Sequence, residues 1–361
     1  MPYPPDYGGV FDLFYKIKAL HQSGVKIHLH CFEYGRGKQP VLNQYCEEVN
    51  YYQRNKSLKG ILLRLPYIVS SRINSQLIKN LLKDNYPVLL EGIHCTYYLY
   101  NGELKNKKVL VRLHNVEFEY YHQLALSTKN ALKKIWFAFE SKLLKSYENK
   151  IANKAKFIAV NENDKETYEN IFSAKDIVFL PVFLPFNEVE SQQGKGTFCL
   201  YHGNLSVAEN EKAVLWLLEN VFKDSEIDFI IAGKNPTALL KTKITKNKKA
   251  SLVENPSEEK MEELIKNAHI HLLPSFNTTG IKIKLLNALF NGRFIITNAA
   301  SVAGTGLETL CKMAEDPSEY KNTIKQLMQL FFTQDEVNKR NEILKREYNN
   351  GKNAEQLMKW L

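Results

Sequence analysis

Almost from end to end, the chain alternates short runs of β-branched and aliphatic residues with longer stretches of helical periodicity. Parallel strands need a crossover of about a dozen residues between them, so this alternation predicts βαβ units and parallel sheets. A first series places strands at 25–32, 87–91, 108–113, 157–160 and 177–180, with helical stretches such as 10–22 and 76–83 between them. A second places strands at 197–201, 228–232, 270–274 and 294–297, with helices over 209–220, 257–267 and 281–290. The polar stretch 187–196 has no period and reads as a linker. From 317 to 361 the chain is helical and polar, with a break at 349–351. The fold class is α/β in two halves.

Composition closes off other classes. The 361 residues are 44% hydrophobic and 24% charged, which suits a globular chain with real cores. No apolar run approaches the ~18 residues of a membrane helix. The first nine residues have neither the basic region nor the apolar core of a signal peptide, so a cytoplasmic location is expected. Five cysteines, odd in number and never in a CxxC pair, read as buried thiols rather than a disulfide frame or a zinc site. Lys and Arg exceed Asp and Glu by 49 to 39, and the resulting +10 can serve nucleic acid, anionic lipid or an anionic small substrate. Gly8 and Gly9, directly before the helical run 10–17, look like the glycine turn that joins a first strand to a first helix. No strand precedes them, and the expectation is a native start upstream of Met1.

The densest chemistry lies in 274–292. A strand ends at Pro274, a polar loop with Gly280 follows, and a helix is predicted to open near Ile281 with its free N–H groups and positive dipole end exposed. Such a terminus binds phosphate. Lys282, in the predicted first turn, is unfavourable there unless an anion compensates it; the alternative is a helix capped by Thr278 or Thr279 with Lys282 and Lys284 in water.

This segment resembles the donor-binding motif of GT-B glycosyltransferases of the family 4 type. That motif is a glycine loop and a helix with two glutamates eight positions apart, followed by Ala-Met-Ala-x-Gly and a strand. Residues 287–296 fit its second half, while the two glutamate positions fall on Thr279 and Asn287. A bacterial subgroup has a Gly-Ile-Lys-x-Lys loop in place of the first glutamate but usually keeps the second. In the family the second glutamate accepts hydrogen bonds from the nucleotide ribose; Asn287 can accept one through its carbonyl, more weakly than a carboxylate.

Other segments carry the resemblance along nearly the whole chain. Pro4, Pro5, Gly8 and Gly9 are similar to the Pro-Pro-x-x-Gly-Gly start of these transferases, where the glycines let the donor approach the backbone. Residues 201–206, with Gly203 and Asn204, resemble the opening strand and glycine turn of the donor domain, and 230–236 resemble its next strand and turn, which makes Lys234 the candidate for reaching the donor phosphates. In the first half, 112–117 resemble the subgroup's His-Asn-x-Glu segment. A histidine at the carboxyl end of a strand suits sugar binding or charge stabilisation near the anomeric carbon, so His114 is the leading catalytic candidate, with His94, Asn115 and Glu117 on the acceptor side. Thr278, Thr279, Gly280, Ile281 and Asn287 complete the donor set.

The resemblance implies a GT-B fold, two Rossmann-like domains facing across a cleft, with an N-terminal domain over 1–186, a donor domain over 187–330, and helices over 331–361 returning to the first domain. It implies retaining transfer of a sugar from a UDP- or GDP-sugar to a glycan or lipid-linked acceptor, in cell-surface polysaccharide or glycoconjugate synthesis. The leaving diphosphate is neutralised by Lys234, Lys282 and the helix start. The chain has no Asp-x-Asp run to hold a divalent cation, so no metal or other cofactor is expected.

Residues 132–151 form a basic amphipathic helix: Leu132, Ile135, Trp136, Phe139, Leu143, Tyr147 and Ile151 recur at helical spacing among lysines. It either rests on an anionic membrane surface, placing the protein peripherally on the inner face, or packs its stripe in the core with a solvated lysine face. Two other readings stay open: a nucleotide-sugar epimerase of the same fold, and a catalytically weak nucleotide-sugar-binding partner subunit. No nucleic-acid recognition motif is present, so no nucleic-acid partner is expected.

Overall fold

The computed structural model describes residues 1–5, 8–33, 35–55, 64–128, 130–278 and 280–361. They divide into two compact units. The first is Met1–Pro185 with Thr279–Ile281 and Tyr348–Leu361; the second is Phe186–Thr278 with Lys282–Glu347. Every paired strand among the described residues runs parallel to its neighbour, as the alternation predicts. Parallel sheets are covered on both faces, which is why strands such as FIIT are unbroken apolar runs.

In the first unit, helix α1 (Gly8–Gln22) begins directly at the two glycines, so they open a helix rather than form a turn ahead of it. Strands β1 (His28–Phe32) and β2 (Glu48–Tyr52) pair with each other alone. A four-stranded sheet follows the order β3 (Val88–Glu91), β4 (Val109–Arg112), β5 (Lys156–Ala159), β6 (Ile177–Phe179). Strand β2 is absent from the sequence reading because Glu48 and Asn50 interrupt its apolar residues.

Helix α2 (Ser75–Leu81) precedes β3, and a helical hairpin, α3 (Glu117–Ser127) and α4 (Ala131–Ile151), connects β4 to β5. Asn130 caps α4 by accepting from the Lys133 N–H at 3.0 Å. Two acids on the inward face of α4 cap other helices in turn. Glu148 accepts from the N–H groups of Glu117 (3.1 Å) and Phe118 (3.0 Å) at the start of α3, and Glu140 accepts from the Tyr67 N–H (2.9 and 3.1 Å) at the start of the one-turn helix Tyr67–Ser70. Burial pushes the Glu148 carboxyl up to about 8 and that of Glu140 up to about 7. Helix α5 (Glu162–Phe172) completes the middle of the unit. The terminal helix Asn350–Trp360 joins it through the Asn350 side chain, which accepts from Leu184 N at 3.0 Å and donates to Leu184 O at 2.7 Å, while Ala354 and Leu357 bury against Ala19 and Leu20 of α1.

In the second unit the sheet order is β12-β11-β10-β7-β8-β9. Its strands are β7 (Phe198–Asn204), β8 (Asp228–Lys234), β9 (Ala250–Glu254), β10 (Ile270–Leu272), β11 (Phe294–Thr297) and β12 (Lys312–Met313). The chain builds outward from β7 to β9, then returns to β7's other edge with β10. This reversal is a topological switch point, and crevices outside the carboxyl ends of the strands at such points bind ligands. The helices are α6 (Ala208–Trp216), α7 (Ala238–Thr245), α8 (Glu258–Asn267), α9 (Ile283–Asn291), α10 (Pro317–Leu327) and α11 (Gln334–Glu347).

The stretch 187–196 is fastened rather than free, contrary to its reading as a linker. Glu190 N donates to Phe290 O at 2.7 Å, and Gly194 bridges Phe332. Arg340 of α11, fully buried, donates to Ser191 Oγ (3.0 Å), Leu289 O (3.1 Å), Gly292 O (2.6 Å) and Arg293 O, so it satisfies carbonyls that the end of α9 leaves open.

Candidate active site

Each unit carries part of the predicted set. In the first, β4 ends at Arg112 and delivers His114 two residues on. His114 Nε2 lies 3.2 Å from Glu91 Oε2, at the end of β3, and its Nδ1 lies 3.8 Å from Asp12 Oδ2 on α1. Its side chain is 14% exposed, a partly open imidazole backed by two carboxylates. Asp12 is buried and receives Arg112 twice, Nε to Oδ2 at 2.8 Å and Nη2 to Oδ1 at 2.9 Å, together with Lys16 Nζ at 3.1 Å and Phe183 N at 2.8 Å. Burial raises the Asp12 pKa, but Arg112 and Lys16 outweigh it and hold the carboxyl well below the ordinary range. Lys16 also reaches Glu91 Oε1 at 2.8 Å.

Asp12, Glu91 and His114 bring their ligand atoms within 4.8 Å of one another, the spacing of a metal site. The donor set argues otherwise: the Lys16 ammonium and Arg112 guanidinium already occupy these carboxylates, so a further cation would have to displace them. The cluster is an ion-pair network that orients His114. Sequence reading missed Asp12, Lys16, Glu91 and Arg112. The available signal was a pair of charges at i and i+4 inside the apolar run of α1.

His94 follows β3 and stacks its ring over Gly92, whose φ of +84° and 2.5 Å clearance to His94 Cε1 leave no room for a side chain. Burial, then the charges of Arg72 and His114, hold His94 neutral. Asn115, next to His114 in sequence, is half-buried. Glu117 is buried at the start of α3, with burial raising its carboxyl to about 7. Gly280, grouped with the first unit, has φ +64°, and a Cβ there would run into the Asn115 side chain and the His114 carbonyl. Ile281 is half-buried next to it. Thr279 lies outside the described residues.

In the second unit, the carboxyl ends of β7 and β8 are bare backbone. Gly203 pairs with Gly233 and Asn204 with Lys234, and any Cβ on Gly233 would overlap the Gly203 carbonyl oxygen. Lys234, the last residue of β8, is exposed. Asn204 accepts at its side chain from Ser206 N (3.1 Å) and Oγ (2.7 Å) and at its carbonyl from Asn210 Nδ2 (2.8 Å), which fixes the turn. Thr278 is exposed and does not cap α9. That helix begins at Ile283, two residues later than expected, and Lys282 is its N-cap residue, with extended backbone (φ −90°, ψ 90°), rather than a first-turn residue.

Lys284 is the residue that sequence reading left in water. Its Nζ donates to Tyr201 OH and to Asn210 Oδ1, both at 2.8 Å, and lies 4.7 Å from the centre of the Tyr201 ring. Burial lowers its pKa to about 8, against the pull of Glu209 and with the push of Lys282. Both of these hydrogen-bond partners are neutral. Glu209, in the first turn of α6, gives its carboxylate to Ser275 Oγ at 2.6 Å. The α9 start thus carries two ammonium groups, that of Lys282 at the N-cap and that of Lys284 against Tyr201 of β7. Asn287 accepts from Asn291 Nδ2 at its Oδ1 (2.9 Å) and at its backbone carbonyl (3.2 Å), which leaves its Oδ1 one further lone pair.

Known structures of the same shape fit this layout. The chain resembles sucrose-phosphate synthase from Thermosynechococcus elongatus over 98% of its own length and 92% of that chain, with TM-score 0.72 and 12% identity. It resembles the Anabaena protein HepE, solved with UDP and glucose, over 99% and 96%, with TM-score 0.64 and 10% identity. Against TarM it spans 57% of that chain's length, with TM-score 0.58 and 14% identity. The fold is GT-B. Residues 196–330 match the family described as glycosyl transferases group 1. An uncharacterized 44.6 kDa protein from the cps region of Klebsiella pneumoniae is 29% identical over 326 residues, covering 84% of this chain and 82% of that protein.

Proposed function

We propose that the protein transfers a sugar, with retention and without a metal, from a UDP- or GDP-sugar to a glycan or lipid-linked acceptor in surface polysaccharide synthesis. The observation that carries this reading is the start of α9, where the desolvated Lys284 ammonium, two residues from Lys282, bonds only neutral groups among the described residues. A diphosphate supplies the missing charge, and donors fixed in advance at a leaving group lower the barrier to its departure. Lys234 lends a further, mobile charge, and His114, held by Glu91, binds the sugar. The UDP seen with HepE and the cps location of the Klebsiella relative support the donor and pathway class.

The test is a thermal-shift and donor-hydrolysis screen of UDP- and GDP-sugars with EDTA present. Stabilisation with slow release of free sugar is expected, and Lys282→Ala should weaken nucleotide binding about tenfold, as loss of one charge-assisted contact does. No stabilisation by any nucleotide, or an absolute need for Mg²⁺ or Mn²⁺, would overturn the reading. Stabilisation without turnover would favour a binding subunit, and a changed sugar would favour an epimerase.

A membrane surface is the second part of the proposal. No helix of the described residues is long and apolar enough to cross a membrane. The stripe of α4 divides: Leu144, Tyr147 and Ile151 are buried, whereas Leu132 (80% exposed), Ile135 (68%) and Phe139 (42%) face outward among the exposed Lys133, Lys134 and Lys142. Apolar side chains ringed by lysines suit anionic headgroups, each lysine contributing about 1 kcal/mol. Flotation with vesicles containing phosphatidylglycerol should carry the protein, and Leu132→Ser with Ile135→Ser and Phe139→Ser should leave it in the aqueous fraction. Equal flotation of both proteins, or equal binding to neutral vesicles, would sink this part.

A further inference from the structure

Asn210 is the third residue of α6, and both polar atoms of its carboxamide are in use. Nδ2 donates to Asn204 O at 2.8 Å, in the turn that ends β7. Oδ1 accepts from Tyr201 OH at 3.0 Å and from Lys284 Nζ at 2.8 Å, while Lys284 Nζ also donates to Tyr201 OH at 2.8 Å. The three side chains thus close a ring of hydrogen bonds among β7, α6 and α9. Their partners fix which way the amide faces, because a carbonyl can only accept and an ammonium can only donate. Gly203 is fitted to the same amide: a Cβ there would come within 3.3 Å of Asn210 Nδ2.

An ammonium taken out of water is ordinarily paired with a carboxylate, since an uncompensated charge is costly to desolvate. Asp has the size and shape of Asn and would put that carboxylate against Lys284 Nζ, yet the chain places an amide there. Glu209, one residue earlier, acts on Lys284 only through space, because its carboxylate accepts from Ser275 Oγ at 2.6 Å. The other titratable groups around Lys284 are Tyr201 and His202 of β7 and Lys282, and none of them is an anion at neutral pH. Lys284 is half-buried and gives two of its three N–H groups to Tyr201 and Asn210, which leaves the third for a ligand. We propose that Asn210 is a positioning residue for the donor diphosphate: its carboxamide aims the Lys284 ammonium and leaves the positive charge for the ligand to neutralise. This inference rests on the donor reading above and names the residue on which the free charge of that site depends. An Asp at 210 would neutralise Lys284 in advance and meet an arriving diphosphate with like charge.

The test reads Lys284 itself as well as the nucleotide. In the nucleotide-free protein, followed by the NMR signals of the lysine side chain, Lys284 should titrate at about 8. In Asn210→Asp it should titrate at the ordinary lysine value of about 10.4 or above. Titration calorimetry at pH 7 should show UDP or GDP, whichever the parent binds, weakened about thirtyfold by Asn210→Asp. Asn210→Ser, neutral and too short to reach Nζ, should weaken the same nucleotide about fivefold through lost aim alone, and it keeps the proposal open to refutation should the Asp variant fail to fold. In a Lys284→Met background Asn210→Ser should cost less than about twofold, because Asn210 acts through Lys284. A merely structural Asn210 would give equal losses in the two backgrounds. That equality, unchanged affinity in Asn210→Asp, or an unmoved Lys284 titration in that variant would overturn the proposal while the donor reading stands. A parent that binds neither UDP nor GDP would overturn the donor reading and this proposal with it.

Discussion

Asp12→Ala is expected to destabilise the first unit by about 3–5 kcal/mol, the cost of removing one partner from a buried ion pair. Among the described residues Asp12 is the one acid that pairs with Arg112, whose other bonds go to the carbonyls of Leu180 (3.1 Å) and Pro181 (2.9 Å). Without it the fully buried guanidinium has no counter-charge, the Phe183 N–H loses its acceptor, and Lys16 keeps only Glu91. At about 2–4 °C per kcal/mol the loss lowers Tm by roughly 10 °C in a calorimetric scan. The double change Asp12→Leu with Arg112→Met should recover much of it, because replacing both ions by apolar groups removes the desolvation penalty along with the attraction. A Tm for Asp12→Ala within about 2 °C of the parent would mean that this network does not tie α1 to β4.

Lys284→Met is expected to separate binding from stability. Methionine keeps an unbranched apolar stem and removes a charge that burial already disfavours, so Tm should hold or rise. UDP affinity, by contrast, should fall by about thirtyfold, close to 2 kcal/mol for a desolvated charge-assisted contact, measured by titration calorimetry at pH 7. Lys284→Arg should keep more of the affinity than Lys284→Met. The pH dependence has a definite sign. With a pKa lowered to about 8, Lys284 is protonated at pH 7 and loses its charge as pH rises, so UDP binding should weaken from pH 7 to 9.5, and the Met variant should lack that part of the fall. Unchanged affinity in Lys284→Met would remove Lys284 from the phosphate site.

The strands of both sheets were legible wherever burial on both faces left an uninterrupted apolar run, as in 108–113 and 294–297. Strand β2 was hidden because an edge strand with the exposed Glu48 and the half-buried Asn50 lacks that run. Helix α9 was legible in kind and displaced at its start, since the cap at Lys282 is set by extended backbone rather than by a capping side chain. The basic helix 132–151 was legible as amphipathic, but periodicity says nothing about what covers a stripe. Its two halves meet different fates because Glu140 and Glu148 turn only the carboxyl-terminal half into the unit.

By itself, the sequence determined the parallel α/β class and the family resemblance, because hydrophobic period, turn glycines and the 280–292 motif are local properties of the chain. It also placed His114 at the carboxyl end of a strand and Lys282 at the start of a helix. Only the tertiary structure decided what surrounds them. Asp12 meets Arg112, Glu91 meets Lys16 and His114, and Lys284 meets Tyr201 across separations of up to about a hundred residues. The physical reason is that a side chain's charge and hydrogen-bonding power are fixed by its type, whereas its desolvation and its partners are fixed by packing, and at these sites packing determines the chemistry.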